Sequence, residues 1–450
     1  MKSDTSERNA VDARPTKAFF VDMLTKDIGL VDCVLDLIDN SLHSHIRRTE
    51  LDVTSSLWDG TYRKGGTRAT IKISISPTEF VIEDDCGGIS IEDARRIVFR
   101  LGAVESDVGA AGLGVYGVGM KRAIFKIGNR VVVASHTETE EFHVDIDVNE
   151  WMNKKDKNGE DLWYFDLTDA GPRKATRGQS PGTTIKISEF RAGVKEAIKI
   201  DVFKSDLRER VAKAYALFLK SGVRIEVNRE PVVPILPEVG TSGAITPFKQ
   251  RLKEDDIDIL VISGIIADAH DSAPAGWYVF CNGRMVIDAD RSARTGWGRE
   301  FAEFHPKYNS FVGYLSFRSD NPSKLPWTTT KRDVVIESRV YQSGLGEVVS
   351  QTGKVLSFLN RAYSDEEEGK QLTRELRDNV TTVPLDQLPA RELTFSVRVP
   401  HATKPTEVNI LYRKPIKEIQ RIRDHLGKPG LPARRIGELT FNYYLEKECD

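Results

Sequence analysis

The chain of 450 residues is 40% hydrophobic and 29% charged, enough apolar material for two or three domains with buried cores. Lys and Arg total 65 against 67 Asp and Glu, a formal net charge of -2, which excludes a wholly basic nucleic-acid binder. A local basic groove stays open, because opposite charges can be segregated. Cys33, Cys86, Cys281 and Cys449 stand alone without CxxC spacing, so neither a zinc site nor a disulfide framework is expected. No apolar run approaches the ~20 residues of a membrane span. The polar start MKSDTSERNAVDARP lacks the apolar core of a secretory signal. The expectation is a cytoplasmic protein with no membrane partner.

Residues 1–16 read as an N-terminal tail or strap. In LVDCVLDLIDNSLHSHI (30–46), Val31, Val34, Leu35, Ile38 and Leu42 fall on one stripe, which predicts an amphipathic helix. TIKISIS (70–76) alternates as a strand, and FVI (80–82) is a short strand entering the turn EDDCGGIS. Glycines are dense between Gly102 and Gly119, after which RVVVAS (130–135) and TTIKIS (183–188) resume the strand pattern. NKKDKNGED (153–161) and GPRKATRGQSPG (171–182) are polar loops. A second unit begins near residue 190. DLRERVAKAYALFLKSG (206–222) predicts a helix stopping at Gly222, followed by the strand VRIEV. DILVISGIIA and GWYVFCNGRMVI are strands, the latter turning at Asn282-Gly283 as a hairpin. The charged stretch SDEEEGK (364–370) reads as a linker, RELTFSVRV (391–399) as a strand, and RKPIKEIQRIRDHLGK (413–428) as a basic helix.

Four local patterns carry chemistry. DLIDN places Asp36 and Asn40 four apart, on one helix face, where a carboxylate and an amide can polarise water and ligate Mg²⁺. IEDDCGGIS (82–90) sets acids before a glycine turn. A buried carboxylate there can accept from an amino group of a base, and the glycines let backbone approach a ligand. GAAGLGVYGVGMKRAIFKIG (109–128) runs Gly109, Gly112, Gly114, Gly117 and Gly119 into an apolar helix, an anion cradle followed at once by Lys121 and Arg122. It fits neither the GxxxxGK[ST] phosphate loop nor the dinucleotide fingerprint of a first βα turn. GTTIKI (182–187) starts a strand with Thr183, whose hydroxyl can bind near a base.

Each pattern alone also fits an ordinary helix face, turn or strand start. Their order, DLIDNS, DDCGGI, GVYGVGMK and GTTI, resembles the GHKL superfamily of gyrase B, heat-shock chaperone, histidine kinase and MutL ATPases, over residues 15–190. The closest flavour is that of MORC- and MutL-like ATPases. The resemblance implies an α+β protein: a Bergerat-type α/β sandwich at 17–190, a transducer-like α/β domain at 191–363, and an acidic linker and basic segment at 364–450. It implies ATP and Mg²⁺ as ligands. Asp36 becomes the acid that activates water, Asn40 the Mg²⁺ ligand, Asp84 the adenine-binding aspartate, and Gly88 the second glycine of its box. Gly112, Gly114, Gly117 and Gly119 become the phosphate-loop glycines, with Lys121 near the phosphates and Thr183 the late threonine.

Two positions depart from the family pattern. Asp36 replaces a glutamate, one methylene longer, so slow hydrolysis is expected, since a misplacement of ~1 Å costs about two orders of magnitude. Cys86 replaces a glycine, which is harmless only at negative φ. KAYALFLKSGVRIEVNREPV and GWYVFCNGRMV are similar to the transducer that follows the ATPase domain in gyrase B, MutL and MORC proteins. Such domains send a lysine to the γ-phosphate, here Lys331 in NPSKLPWTTTKRDVV, with Lys324 in reserve.

The expected function is an ATPase switch that forms a homodimer on binding ATP, ordering the loop near 102–119 and exchanging residues 1–29. The relatives suggest DNA or a DNA-processing protein as partner, which suits the eight Lys/Arg of residues 413–435. The alternatives are a chaperone-like remodelling ATPase and a nucleotide-binding scaffold with little turnover. His43 and His45, two apart on the helix, read as helix-face residues.

Overall fold

The computed structural model describes residues 15–59, 68–100, 113, 117–173, 180–266, 274–398 and 410–449. The chain forms two compact units, Met1–Val399 and Pro400–Asp450.

The first unit opens with helices α1 (Lys17–Lys26), α2 (Leu30–Thr49) and α3 (Ser55–Asp59). Strands β1 (Thr70–Ile75) and β2 (Glu79–Asp84) follow, then α4 (Ile91–Asp93) running into a π-helical turn at Ala94–Val98. Next come α5 (Gly119–Ile127), β3 (Gly128–His136), β4 (Glu140–Asp147), α6 (Val148–Asn153), β5 (Leu167–Pro172) and β6 (Gly182–Phe190). Helices α7 (Ala192–Ile198), α8 (Asp201–Ala214) and α9 (Ala216–Lys220) lead into the short β7 (Arg224–Val227) and β8 (Glu230–Pro231). These strands build one eight-stranded sheet in the order β5-β4-β3-β6-β2-β1-β7-β8. Its neighbours pair antiparallel except β1 and β7, which run parallel from Thr70↔Arg224 to Ile73↔Val227. The sheet therefore draws on sequence from both sides of residue 190.

Alternation explains the layer. Ile71, Ile73 and Ile75 of β1 are buried while Lys72 and Ser74 are exposed, the period of a half-covered strand. The buried face continues through Phe142, Val144 and Ile146 of β4, Val131 and Val133 of β3, and Ile187 of β6. Opposite lies the stripe of α2, where Val34, Leu35, Ile38 and Leu42 are at most 2% exposed. Helices α1 and α2 both pack on α5.

The second sheet is assembled from β9 (Val239–Thr241), β11 (Phe248–Glu254), β12 (Ile257–Ile265), β13 (Gly276–Cys281), β14 (Arg284–Asp290), β15 (Phe311–Arg318) and β16 (Thr381–Val383). A separate two-stranded ladder joins β10 (Ile245–Thr246) to β17 (Ser396–Val397). Asn282 and Gly283 turn β13 into β14 with φ of 46° and 80°, as a two-residue hairpin with both central residues left-handed requires. Helix α10 (Arg339–Ala362) covers β12 and β15, and α11 (Glu367–Asp378) packs back on α10.

Three sequence expectations are revised here. Residues 364–370 do not form a linker: they make the turn between α10 and α11 and the first turn of α11, whose Leu372 is buried. Tyr215, at φ -113°, breaks the helix expected over 206–222 into α8 and α9. RELTFSVRV contributes only the two residues of β17 and a bridge from Leu393 to Lys249.

The second unit holds α12 (Ile416–His425) and α13 (Ala433–Glu448). Helix α12 buries no residue, and α13 buries Ile436 alone among its side chains. No helix among the described residues is long and apolar enough to cross a membrane.

Candidate nucleotide site

Helix α2 is amphipathic in an unusual sense. Its sheet-facing stripe buries apolar side chains, while Asp36 and Asp39 are also buried, at 4% and 1% exposure. Asn40, one residue on, is exposed. A cavity of about 450 Å³ opens beside this helix, within the range of small-ligand sites. Asp36, Asn40, Asp84, Gly88, Gly117, Gly119, Lys121, Thr183 and Lys331 all line it. The structure thus brings together residues from five separate sequence segments. Gly112 and Gly114 lie outside the described residues.

One end of the cavity is built on β2 and β6. Asp84 Oδ2 accepts from Ser41 Oγ at 2.6 Å, and Oδ1 from the Cys86 amide at 2.9 Å. Burial raises the Asp84 carboxyl above its ordinary range, against the pull of these donors and the Thr183 amide. Thr183 Oγ1 lies 2.9 Å from Ser135 Oγ, which accepts from the Ile89 amide at 2.8 Å. Cys86 is fully buried and is not among the positive-φ residues. The left-handed positions are its neighbours, Gly87 at φ 115° and Gly88 at φ 72°. A Cβ on Gly88 would lie 2.1 Å from the His136 carbonyl oxygen, so no other residue fits.

The other end is cationic. Gly119 opens α5 against Asp36: a Cβ there would stand 3.3 Å from Asp36 Cγ. The N-cap Val118 supplies no side-chain acceptor, so the first amides of α5 have no side-chain cap. Arg122, one turn into α5, sends Nε and Nη2 to Asp36 Oδ2 at 3.1 and 2.6 Å. Asp39 accepts from Tyr215 Oη and Arg284 Nε on Oδ1, both at 2.8 Å, and from Lys331 Nζ on Oδ2 at 2.9 Å. Arg284 also donates to the Lys331 carbonyl at 2.5 Å. That bond braces a backbone at φ 53°, a left-handed conformation rare for a lysine. Burial raises the Asp36 carboxyl, against Lys331 and Arg122. Burial also works against ionised Asp39, yet Arg284 and Lys331 outweigh it and hold this carboxyl below its usual range.

Counting charges gives Arg122, Arg284 and Lys331 against Asp36 and Asp39, so one positive charge is left over at this end. Buried charge without a counter-ion is costly, and an anionic ligand in the cavity would balance it. Lys121 is not free to add to it: its Nζ donates to the Val98 carbonyl at 2.7 Å, tying α5 to the π-helical turn, and burial lowers its pKa to about 8. Lys324 pairs with Asp256 at the surface and lines no part of the cavity. Burial pushes His43, on the cavity wall, down to about 4, so its imidazole is neutral.

No group of three or more His, Cys, Asp or Glu among the described residues could hold a metal ion by itself. The side-chain oxygen of Asn40, exposed at the cavity, fits Mg²⁺ carried in on phosphates, since that ion keeps waters and few protein ligands.

The sequence patterns placed Arg122 after the anion cradle but not its pairing with Asp36, and they missed Asp39, Arg284 and Tyr215. Asp39 left a signal: it lies four after Leu35 and three before Leu42, on the apolar stripe, where a carboxylate needs a buried cation.

Residues 29–177 match the family model described as histidine kinase-, DNA gyrase B- and HSP90-like ATPase. Among solved structures, the B-subunit of DNA gyrase from Myxococcus xanthus is similar over 75% of this chain and 93% of its own, at 11% identity and a TM-score of 0.45. No curated protein sequence matches the chain.

Proposed function

Residues 29–177 carry a domain of the histidine kinase-, DNA gyrase B- and HSP90-like (GHKL) ATPase superfamily, and from this premise we propose that the chain binds and hydrolyses Mg²⁺-ATP in the cavity beside α2. The observation that carries this reading is the polarity of the cavity wall. At one end stands a buried acid, Asp84, held by hydroxyl and amide donors; at the other, an unbalanced cationic cluster. An adenine amino group suits the first end and a triphosphate the second.

In this reading Asp84 accepts from the adenine amino group, with Thr183 beside it, and Gly88 lets the backbone approach the base. Gly117 and Gly119, with Gly112 and Gly114 before them, cradle the phosphates at the start of α5. Lys121 stands near the phosphates while fixing the adjoining turn. Asp36 takes the proton of the attacking water, and Lys331 offers a point charge to the γ-phosphate. Mg²⁺, held by Asn40, supplies neutralising charge to the phosphates. Calorimetric titration with a non-hydrolysable ATP analogue and Mg²⁺ tests the reading. No binding, or affinity unchanged by Asp84→Asn, overturns it. Binding without Mg²⁺-dependent turnover leaves the scaffold function.

The same binding event closes a homodimer, as a ligand favouring one of two states does. Helix α1 supports this by leaving Phe19 and Met23 exposed at 61% and 54%. Sizing the protein with and without the analogue tests it: an unchanged mass rules the switch out. DNA is the partner favoured by the exposed, basic α12, with a remodelled protein client the alternative. A mobility shift that does not weaken with added salt, or that never occurs, removes DNA.

A further inference from the structure

We propose that Arg122 is a positioning residue for hydrolysis: it anchors one oxygen of Asp36 so that the other faces the substrate water. The inference rests on the ATPase reading of this cavity and gives a specific role to a residue that reading counts only as charge.

The geometry is one-sided. Both guanidinium donors of Arg122, Nε and Nη2, converge on Oδ2, while Oδ1 receives no hydrogen bond from any described residue. Asp36 lines the cavity, so Oδ1 is the oxygen available to a ligand. The pair is enclosed, at 8% side-chain exposure for Arg122 and 4% for Asp36. A guanidinium fork fixes both distance and direction, where an ammonium would fix distance alone. Gly119 also lies beside this side chain, where an added Cβ would stand 3.3 Å from Asp36 Cγ. The two bonds from Arg122 thus hold the Asp36 carboxylate in one orientation.

In the step so arranged, the water oxygen bonds to the γ-phosphorus and the bond to the bridging oxygen breaks, its electron pair leaving with ADP. The water proton passes to Oδ1 of Asp36 and then to the products. Arg122 also lines the cavity, but both of its bonds go to Asp36 Oδ2, so its effect on the water runs through Asp36.

The test compares Arg122→Gln, Arg122→Lys, Asp36→Asn and the double variant Asp36→Asn/Arg122→Gln. Three readouts are needed: steady-state ATP hydrolysis, affinity for a non-hydrolysable ATP analogue, and affinity for ADP with aluminium fluoride, which mimics the transition state without turnover. We expect Arg122→Gln to lower kcat by about 100-fold with a far smaller change in KM. It should weaken the aluminium fluoride complex by a larger factor than the ATP analogue. Arg122→Lys should fall between, and the double variant should match Asp36→Asn, because the two residues act as one unit. The double variant also removes the charge that Arg122→Gln leaves unpaired, so it reports even where the single variant fails to fold. The inference is overturned if Arg122→Gln loses analogue affinity in step with kcat, or if the double variant is clearly slower than Asp36→Asn. If the unaltered protein binds the ATP analogue but neither hydrolyses ATP nor binds the aluminium fluoride complex, hydrolysis itself falls and takes this inference with it.

Discussion

Lys331 Nζ lies 2.9 Å from Asp39 Oδ2, so a loop beyond the second sheet ends in an ion pair on the helix that carries Asp36. Arg284 and Tyr215 both donate to Asp39 Oδ1 and would hold that oxygen if the lysine turned toward another anion, while Oδ2 would give up its Lys331 bond. In the proposed reading Lys331 is the cation of the cluster that turns to a phosphate, since Arg284 also holds the Lys331 carbonyl and Asp39 Oδ1.

Lys331→Met should lower affinity for ATP more than for ADP. One charge-assisted hydrogen bond lost at about 1.5–3 kcal/mol corresponds to roughly 10- to 150-fold for ATP. The thermal midpoint should fall as well, since buried Asp39 Oδ2 loses its donor while Oδ1 keeps Arg284 and Tyr215. Parallel calorimetric titrations with ATP analogue and ADP decide it, and equal losses for both nucleotides would argue for a purely structural lysine.

In the proposed reading Asp36→Glu should slow ATP turnover, although it installs the glutamate that the family resemblance leads one to expect here. The extra methylene enters a space bounded by Gly119 and Arg122, where overpacking costs about 1–3 kcal/mol. Turnover below that of the unaltered protein, together with a lowered thermal midpoint, is the expected result. Faster turnover would show that the pocket relaxes around the longer acid.

Gly88→Ala should destabilise the fold by more than the ~1–3 kcal/mol of a strained residue, because the new Cβ would also strike the His136 carbonyl. Chemical denaturation of the variant measures it. Gly159→Ala makes a useful control, left-handed at φ 85° but with nothing within 4 Å of the added atom.

Lys121 gives a pH signature. Its folded pKa is about 8, below the ordinary 10.5, so the unfolded chain binds more protons between these values. Stability linked to this group is fully present above pH 10.5 and is lost as pH falls toward 8. At 1.36 kcal/mol per unit the loss is about 3 kcal/mol. The gap between Lys121→Met and the unaltered protein should drift by about that amount across the window, measured by urea unfolding. A gap constant with pH would mean that the amine is not desolvated.

Much of this was legible because period betrays facing. The stripe of α2, the alternation of β1 and the Asn282-Gly283 hairpin follow from local spacing alone, and so does the Asp36/Asn40 face. What spacing cannot carry is the partner. Arg122 is 86 residues from Asp36, and Arg284 is 245 from Asp39; nothing near either carboxylate announces which cation folding will deliver. The break at Tyr215 was hidden for a similar reason. That residue leaves helical geometry where its hydroxyl reaches the Leu35 carbonyl and Asp39 on α2, tertiary bonds that override a continuous helical pattern. The acidic run at 364–370 looked like a solvated connection because charge masks the buried face of a short amphipathic helix such as α11.

The parallel pairing of β1 with β7 bears on how the protein is made. On the ribosome, β1 emerges early and finds β2 at once, but its other edge must wait for a strand synthesised after the whole ATP-binding layer. Until Arg224–Val227 arrives, that edge presents unpaired amides and carbonyls to any passing chain, an aggregation hazard that tight sheets otherwise avoid. A gene cut near residue 190 would leave the hazard permanent. Fragments meant to isolate the nucleotide-binding layer should therefore run past β8 at Pro231.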